Sequence, residues 1–267
     1  MKKRIILGLV LLFALYSVQA QERRLVTING DTINAPRRPV RPRHPWVIGI
    51  QGGGSYLTGS TANLENNLQN DIGVSKENAK DFYNQMRTGF NLGASAHFLF
   101  RHSWGLGLKY LFFKTSAGTT FPASGISNPS EMFTVGMKEW QYVNSEGPSL
   151  LFRQWLDPQR KFSIEGEFSP LLVQYRDEIR YDRNQFVLQR PSTLRKGTNW
   201  GANFALSCEY YLQPRWSIGV NVGYFYSEIR KVTLSSVGGT SQTIRLAPKD
   251  YVDISRLDYF LSVRYHF

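Results

Sequence analysis

The sequence predicts an all-β protein, built as one eight-stranded antiparallel up-and-down barrel that turns its apolar face outward. Three observations carry this. From Trp46 to the last residue, apolar side chains recur at every second position, the period of a strand and not of a helix. The segments marked in this way number eight, and the links between them alternate between short and long. Beyond the first twenty residues no apolar run approaches the roughly 20 residues that a membrane-crossing helix needs. Yet 14% of the chain is aromatic and 23 residues are glycine, a composition rich for a water-facing domain.

The chain opens with a basic group, Lys2, Lys3 and Arg4, followed by a short apolar stretch from Ile5 to Tyr16 and the small-x-small sequence Val18-Gln19-Ala20. That order is a secretory signal peptide over residues 1–20, cleaved after Ala20. Export is therefore expected. Removing it lowers 32 basic residues to 29 against 20 acidic ones. Residues 21–45 read as an N-terminal arm. Its run from Ala35 to Pro45 carries four prolines and four arginines and can pack no core, so an extended, solvated segment is predicted. Within the arm, Asn29-Gly30 between Val26-Thr27-Ile28 and Asp31-Thr32-Ile33 is a hairpin signal. The single cysteine excludes a disulfide framework and a cysteine-based metal finger.

The third unit, residues 46–267, is the barrel. In its last segment Leu257, Tyr259, Leu261, Val263, Tyr265 and Phe267 alternate with Arg256, Asp258, Ser262, Arg264 and His266, with Phe260 out of step. Trp216, Ile218, Val220, Val222, Tyr224 and Tyr226 form an equally regular face, which leaves Phe225 among the small and polar residues opposite. Segments at Trp46–Tyr56, Thr88–Phe100, Ser103–Phe113 and Thr198–Leu212 repeat the pattern, and Cys208 falls on the apolar side of the last. Those near 138–156 and 161–175 are less regular and contain Pro148 and Pro170, which predict a bulge or register change. Short links fall at 101–102, 157–160 and 213–215, long ones near 57–87, 114–137, 176–197 and 235–251. A water-soluble barrel would place its apolar residues inside. Here one face is almost free of charge and the other is rich in Gly, Ser and Asn with isolated charges. Aromatic residues gather at strand ends, as in interfacial girdles. A transmembrane barrel with short periplasmic turns and long extracellular loops is the expectation.

The final stretch, Tyr259 to Phe267, resembles the terminal strand of the bacterial outer-membrane β-barrel family. Tyr259, Leu261, Val263, Tyr265 and Phe267 match its pattern of alternating apolar residues ending in Phe, which implies recognition by the outer-membrane barrel-assembly machinery. By size the chain resembles small OmpA- or OmpX-like barrels, and Glu146 to Phe152 is similar to a segment of the PorT-like secretion-accessory members. The resemblance implies an integral protein of the Gram-negative outer membrane. It would contact outer-membrane lipid and lipopolysaccharide, and a further envelope complex as accessory partner.

Parity sends Lys109, Arg153, Glu165, Glu167, Glu209, Arg256, Asp258 and Arg264 into the bore. Four bases against four acids predict a salt-bridge network that closes it, since a lone buried charge costs several kcal/mol. A narrow small-solute channel is the alternative, and a lipid A-modifying enzyme a second. No catalytic, metal or cofactor-binding residues are assigned and no cofactor is expected. His102 and Ser103 are neighbours and point apart in extended chain. Glu165 and Glu167, about 7 Å apart on one face, fit ion pairing better than a glycosidase pair. In the long links, Ser75 is positioned to cap a helix over Lys76–Met86 with Ala79, Phe82 and Tyr83 on one side. Arg176, Arg180, Arg183, Arg190, Arg195 and Lys196 are candidate contacts for lipopolysaccharide phosphates. Nucleic acid is not an expected partner despite a pI near 9.8.

Overall fold

The computed structural model describes residues 26–28, 31–33, 45–100, 103–124, 132–157, 159–183, 193–236 and 241–267. The signal peptide, the Ala20 cleavage site and the Pro/Arg run at 35–44 lie outside them. Two compact units divide at Arg41. In the first, β1 (Val26–Ile28) and β2 (Asp31–Ile33) pair antiparallel, with Val26 opposite Ile33, as the Asn29-Gly30 signal predicts.

The second unit is the barrel. Its staves are β3 (Trp46–Leu57), β4 (Thr88–Leu99), β5 (Trp104–Ser124), β6 (Met132–Trp155), β7 (Phe162–Arg183), β8 (Thr193–Gln213), β9 (Trp216–Ile229) and β13 (Arg256–His266). Each pairs antiparallel with the next, and β13 closes on β3 from Val47↔His266 to Leu57↔Arg256. Short strands β10 (Lys231–Ser236), β11 (Gln242–Arg245) and β12 (Val252–Asp253) lie in the last long link. There β10 pairs with the upper part of β8 and prolongs the barrel wall.

Two of the predicted long links turn out to be strand. Residues 114–124 and 132–137 extend β5 and β6, and residues 176–183 and 193–197 extend β7 and β8. These four strands have 21 to 24 residues, about twice the 9–11 that cross a bilayer. The period of two persists there, but both faces become mixed. Thr, Ser and Gly outside no longer contrast with Ala, Glu and Gln inside, so hydropathy alone reads a loop.

The first long link is helical. α1 (Ala62–Ile72) ends at Gly73, whose φ of 75° is the left-handed cap that glycine favours. α2 (Lys76–Gln85) begins at Ser75, whose hydroxyl accepts from the Asn78 amide at 3.3 Å. Ala79, Phe82 and Tyr83 are buried on one side of α2, with Phe121, Val135, Met137 and Ile179 from the strand extensions in the same core. The helix thus supplies the apolar backing that lets the extensions stand without lipid.

Pro148 and Pro170 meet in one place. The β6–β7 ladder runs to Glu146↔Leu172, stops, and resumes at Leu150↔Phe168 in the same register, so the prolines interrupt the ladder without the predicted bulge or register change. A Cβ on Gly147 would lie 2.3 Å from the Pro170 carbonyl oxygen, so the close approach across this gap requires glycine.

Candidate functional site: the filled bore and the wall above it

The exterior of the membrane-spanning part of the staves is apolar. Ile50, Leu108, Val220 and Leu261 are 59–70% exposed, and Cys208 is exposed among them on β8. Burying such area against hydrocarbon instead of water is worth about 25 cal/mol per Å². Trp46, Trp104, Phe162 and Trp216 gather at the end carrying the short turns, where Trp104–Phe152 and Trp216–Tyr265 pack edge to face. At that end Asp157 accepts from the amides of Lys161 and Phe162, which holds its carboxyl below the usual range.

Inside, all eight predicted bore charges are buried, and they meet at three heights. Nearest the short turns, Glu165 bridges Arg153 (2.5 Å) and Arg264, while Arg264 also reaches Glu209 at 3.3 Å. Ser217 and Ser262 donate to Glu209, each at 3.1 Å. Two arginines face two glutamates, so the cluster is neutral. A Cβ on Gly219 would sit 2.2 Å from a Glu209 oxygen, so glycine makes room for that carboxylate. At mid-height Lys109 donates to Glu167 and Asn203, both at 2.9 Å, and Ser149 donates to Glu167 at 2.5 Å. Higher still Arg256 pairs with Asp258 at 3.0 Å, with Ser55 also donating to Asp258.

Around and above this pair the interior changes character. Arg256 lies over the rings of Phe113 (4.7 Å) and Phe225 (3.9 Å), which belong to an apolar core with Leu57, Leu111, Val143, Leu171, Ile229 and Phe260. Phe260 falls on the short-turn side of Asp258 on β13, so the core begins among the charges and extends above them. This core adds an apolar layer to an inward face that the sequence reads as rich in Gly, Ser and Asn with isolated charges. Phe225 and Phe260, which break the alternation of their segments, are inward-facing members of it, as are Leu111 and Phe113.

Two further groupings are not legible in the sequence. His97 Nε2 lies 3.0 Å from Ser149 and 3.5 Å from Glu167, and His266 Nε2 lies 3.2 Å from Ser217, itself bonded to Glu209. Their members come from nearby staves, β4, β6 and β7 in the first and β8, β9 and β13 in the second, so the register between strands brings them together. Each has the residue types of a hydrolytic triad without its relay. Ser149 and Ser217 both donate to a carboxylate, and the imidazoles are 1–2% exposed, out of reach of a substrate.

The candidate lipopolysaccharide residues separate by face. On β7 Arg176 and Arg180 point outward and fork onto Glu178, at 3.5 and 2.6 Å. Lys196 is exposed on β8, whereas Arg195 turns inward toward Asp177 at 3.9 Å and is thereby removed from the outward set. For Arg183 only the backbone is described, opposite Val135, and Arg190 lies outside the described residues. Asp177 and Glu139 are fully buried above the membrane-spanning part of the strands. Burial, reinforced by Asp177, pushes Glu139 well up, and burial raises Asp177 to about 6 although Arg195 opposes it. Gln141 and Arg195 border a cavity of about 240 Å³ at the barrel mouth, otherwise lined by Leu57, Met86, Leu234 and Leu246 among others.

No family model and no curated protein matches the chain. Among solved structures it is similar to Neisserial surface protein A (12% identity, 84% of this chain and 97% of that one, TM-score 0.44). It is also similar to a major outer membrane protein from Thermus thermophilus (12%, 84% and 100%, TM-score 0.48). A third is the outer membrane protein OprG from Pseudomonas aeruginosa (14%, 84% and 97%, TM-score 0.42). The class follows from the chain's own geometry, because a closed sheet with hydrocarbon-facing exterior and ion-paired interior is stable only across a membrane. The chain is an eight-stranded antiparallel transmembrane β-barrel.

Proposed function

We propose that the protein is a non-conducting, non-enzymatic barrel of the Gram-negative outer membrane that serves as a structural or accessory element of the envelope. The observation that carries this reading is the bore itself. Paired charges occupy it at three heights, and an apolar core packs around the uppermost pair and fills the space above it. An eight-stranded bore is only wide enough for side chains, and opening it would strand buried ions at several kcal/mol each. The barrel then acts as an anchor that carries the strand extensions and helices beyond the membrane, where an envelope complex could dock. Tyr259, Leu261, Val263 and Phe267 are 41–70% exposed on the outer face of β13, available to the assembly machinery during insertion.

Single-channel recording in planar bilayers tests this. The expected record shows no step above background at about 100 mV in roughly 1 M salt. A stable, reproducible conductance step would replace the reading with a narrow solute channel.

A further inference from the structure

Outward-facing cations stand in register across four neighbouring strands. Lys114 on β5 is opposite Tyr142 on β6, Tyr142 opposite Arg176 on β7, and Arg176 opposite Lys196 on β8. Three cations and one ring therefore share a single rung, about 14 Å wide at ~4.8 Å per strand. Two residues further along, Trp140 is opposite Glu178, and beyond them Lys138 is opposite Arg180. The rings hold the cations against the wall. Lys114 lies 5.4 Å from the Tyr142 ring centre, Arg176 lies 5.9 Å from the same ring, and Arg180 lies 5.2 Å from Trp140. Among the described residues, Glu178 is the one acid within the patch, against five bases. Its pairing leaves Arg176 and Arg180 with side chains 55% and 61% exposed. Among the described residues of these four strands, the next outward acid, Glu146, sits four residues below the rung on β6.

Height decides what this patch meets. Along β5 the outward side chains from Trp104 to Phe112 are Trp, Leu, Leu, Tyr and Phe, and Lys114 is the next. Ten residues at ~3.3 Å, tilted by about 40°, rise roughly 25 Å, the thickness of the apolar band of an outer-membrane barrel. Lys114 therefore lies where hydrocarbon ends. A rung runs perpendicular to the tilted strands, so it climbs about 3 Å per strand and about 9 Å from Lys114 to Lys196. The patch starts at the lipid phosphate level and ascends into the saccharide layer. On the other side, the outward positions of β3, β4 and β13 contain no Lys or Arg.

We propose that the β5–β8 wall is a docking site for the phosphorylated glycolipid of the outer leaflet, with Lys114, Arg176 and Lys196 binding its phosphates and Trp140 and Tyr142 packing against its sugars. Charge complementarity selects a phosphate, and the upward slant of the rung selects a headgroup taller than that of a glycerophospholipid. This extends the anchor role by giving the barrel a lipid-facing front, and it depends only on insertion in the membrane.

The test uses the full-length barrel in phosphatidylcholine nanodiscs carrying bis-phosphorylated lipid A, the same lipid without its phosphates, or phosphatidylglycerol, with retained lipid counted by native mass spectrometry. Lipid A is expected to be retained, with retention falling about tenfold without its phosphates. The same loss is expected in the Lys114→Gln/Arg176→Gln/Lys196→Gln variant, and none in Lys161→Gln at the opposite end. Equal retention by the triple variant, by dephosphorylated lipid A or by phosphatidylglycerol would overturn the proposal. Should the triple variant fail to insert, a salt series on the unaltered protein decides: weakening between about 0.1 and 0.5 M supports the site, and salt-independent retention overturns it.

Discussion

Replacing Glu165 with Gln removes one negative charge from the lower bore and leaves the volume almost unchanged. The structure sets the size of the effect. Before the change, Arg153 and Arg264 face Glu165 and Glu209; afterwards two guanidiniums share Glu209. Arg264 keeps Glu209 at 3.3 Å, so Arg153 is the stranded ion. One of its terminal nitrogens already lacks a hydrogen-bond partner, and its remaining neighbours are the rings of Trp155 and Tyr211, at 5.6 and 5.8 Å. An ion pair near 3 Å at an effective dielectric of 20 is worth about 5 kcal/mol, and breaking buried pairs costs about 3–5 kcal/mol. Urea unfolding in lipid vesicles, followed by tryptophan fluorescence, should therefore show a loss of about 3–5 kcal/mol. The double variant Arg153→Met/Glu165→Gln restores neutrality and should recover to within about 1 kcal/mol of the original. A loss below about 1 kcal/mol for Glu165→Gln, or a double variant as unstable as the single, would refute the view that charge balance holds the bore closed.

Three other outcomes follow. Burial raises Glu139 and Asp177, so the folded wall holds protons that the unfolded chain releases; its stability is greatest near pH 4 and falls as pH rises through about 6. The double variant Glu139→Gln/Asp177→Asn should flatten that fall, seen as equal amide protection in β6 and β7 at about pH 5 and 8 after correction for intrinsic exchange. Gly147→Ala drives a methyl into the Pro170 carbonyl and should cost about 1–3 kcal/mol in urea. Gly166→Ala, with nothing within 4 Å of the new carbon, should be neutral in the same assay. Ser75→Ala removes the cap of α2 and should cost about 1 kcal/mol, read as faster amide exchange confined to residues 76–85.

The membrane part of the fold is legible because lipid imposes a strict rule on one face of every strand. That rule places all eight bore charges, and local turn chemistry places the Ser75 cap, whereas the prolines predict a bulge or register change and the strands keep their register. Above the bilayer the rule lapses, and Lys114, Trp140, Tyr142 and Arg176 read as loop or irregular residues although they stand in ladders. Arg195 reads as outward for the same reason: without strand register, parity cannot be counted across 176–197. The pairing of His97 with Ser149, and of His266 with Ser217, depends on the register between neighbouring staves. No spacing within one strand encodes that.

The ion pairs of β13 also bear on how the barrel reaches its correct alignment. A one-residue slip of this strand would turn its hydrocarbon side into the bore and be rejected at once. A two-residue slip keeps every side chain on its proper side, so greasiness alone cannot detect it. Arg264 can, because its partners Glu165 and Glu209 sit on β7 and β8, and Ser55 on β3 tests Asp258 in the same way. The first and last staves join across about 200 residues of chain, and the charges inside work as a vernier that accepts only one closure.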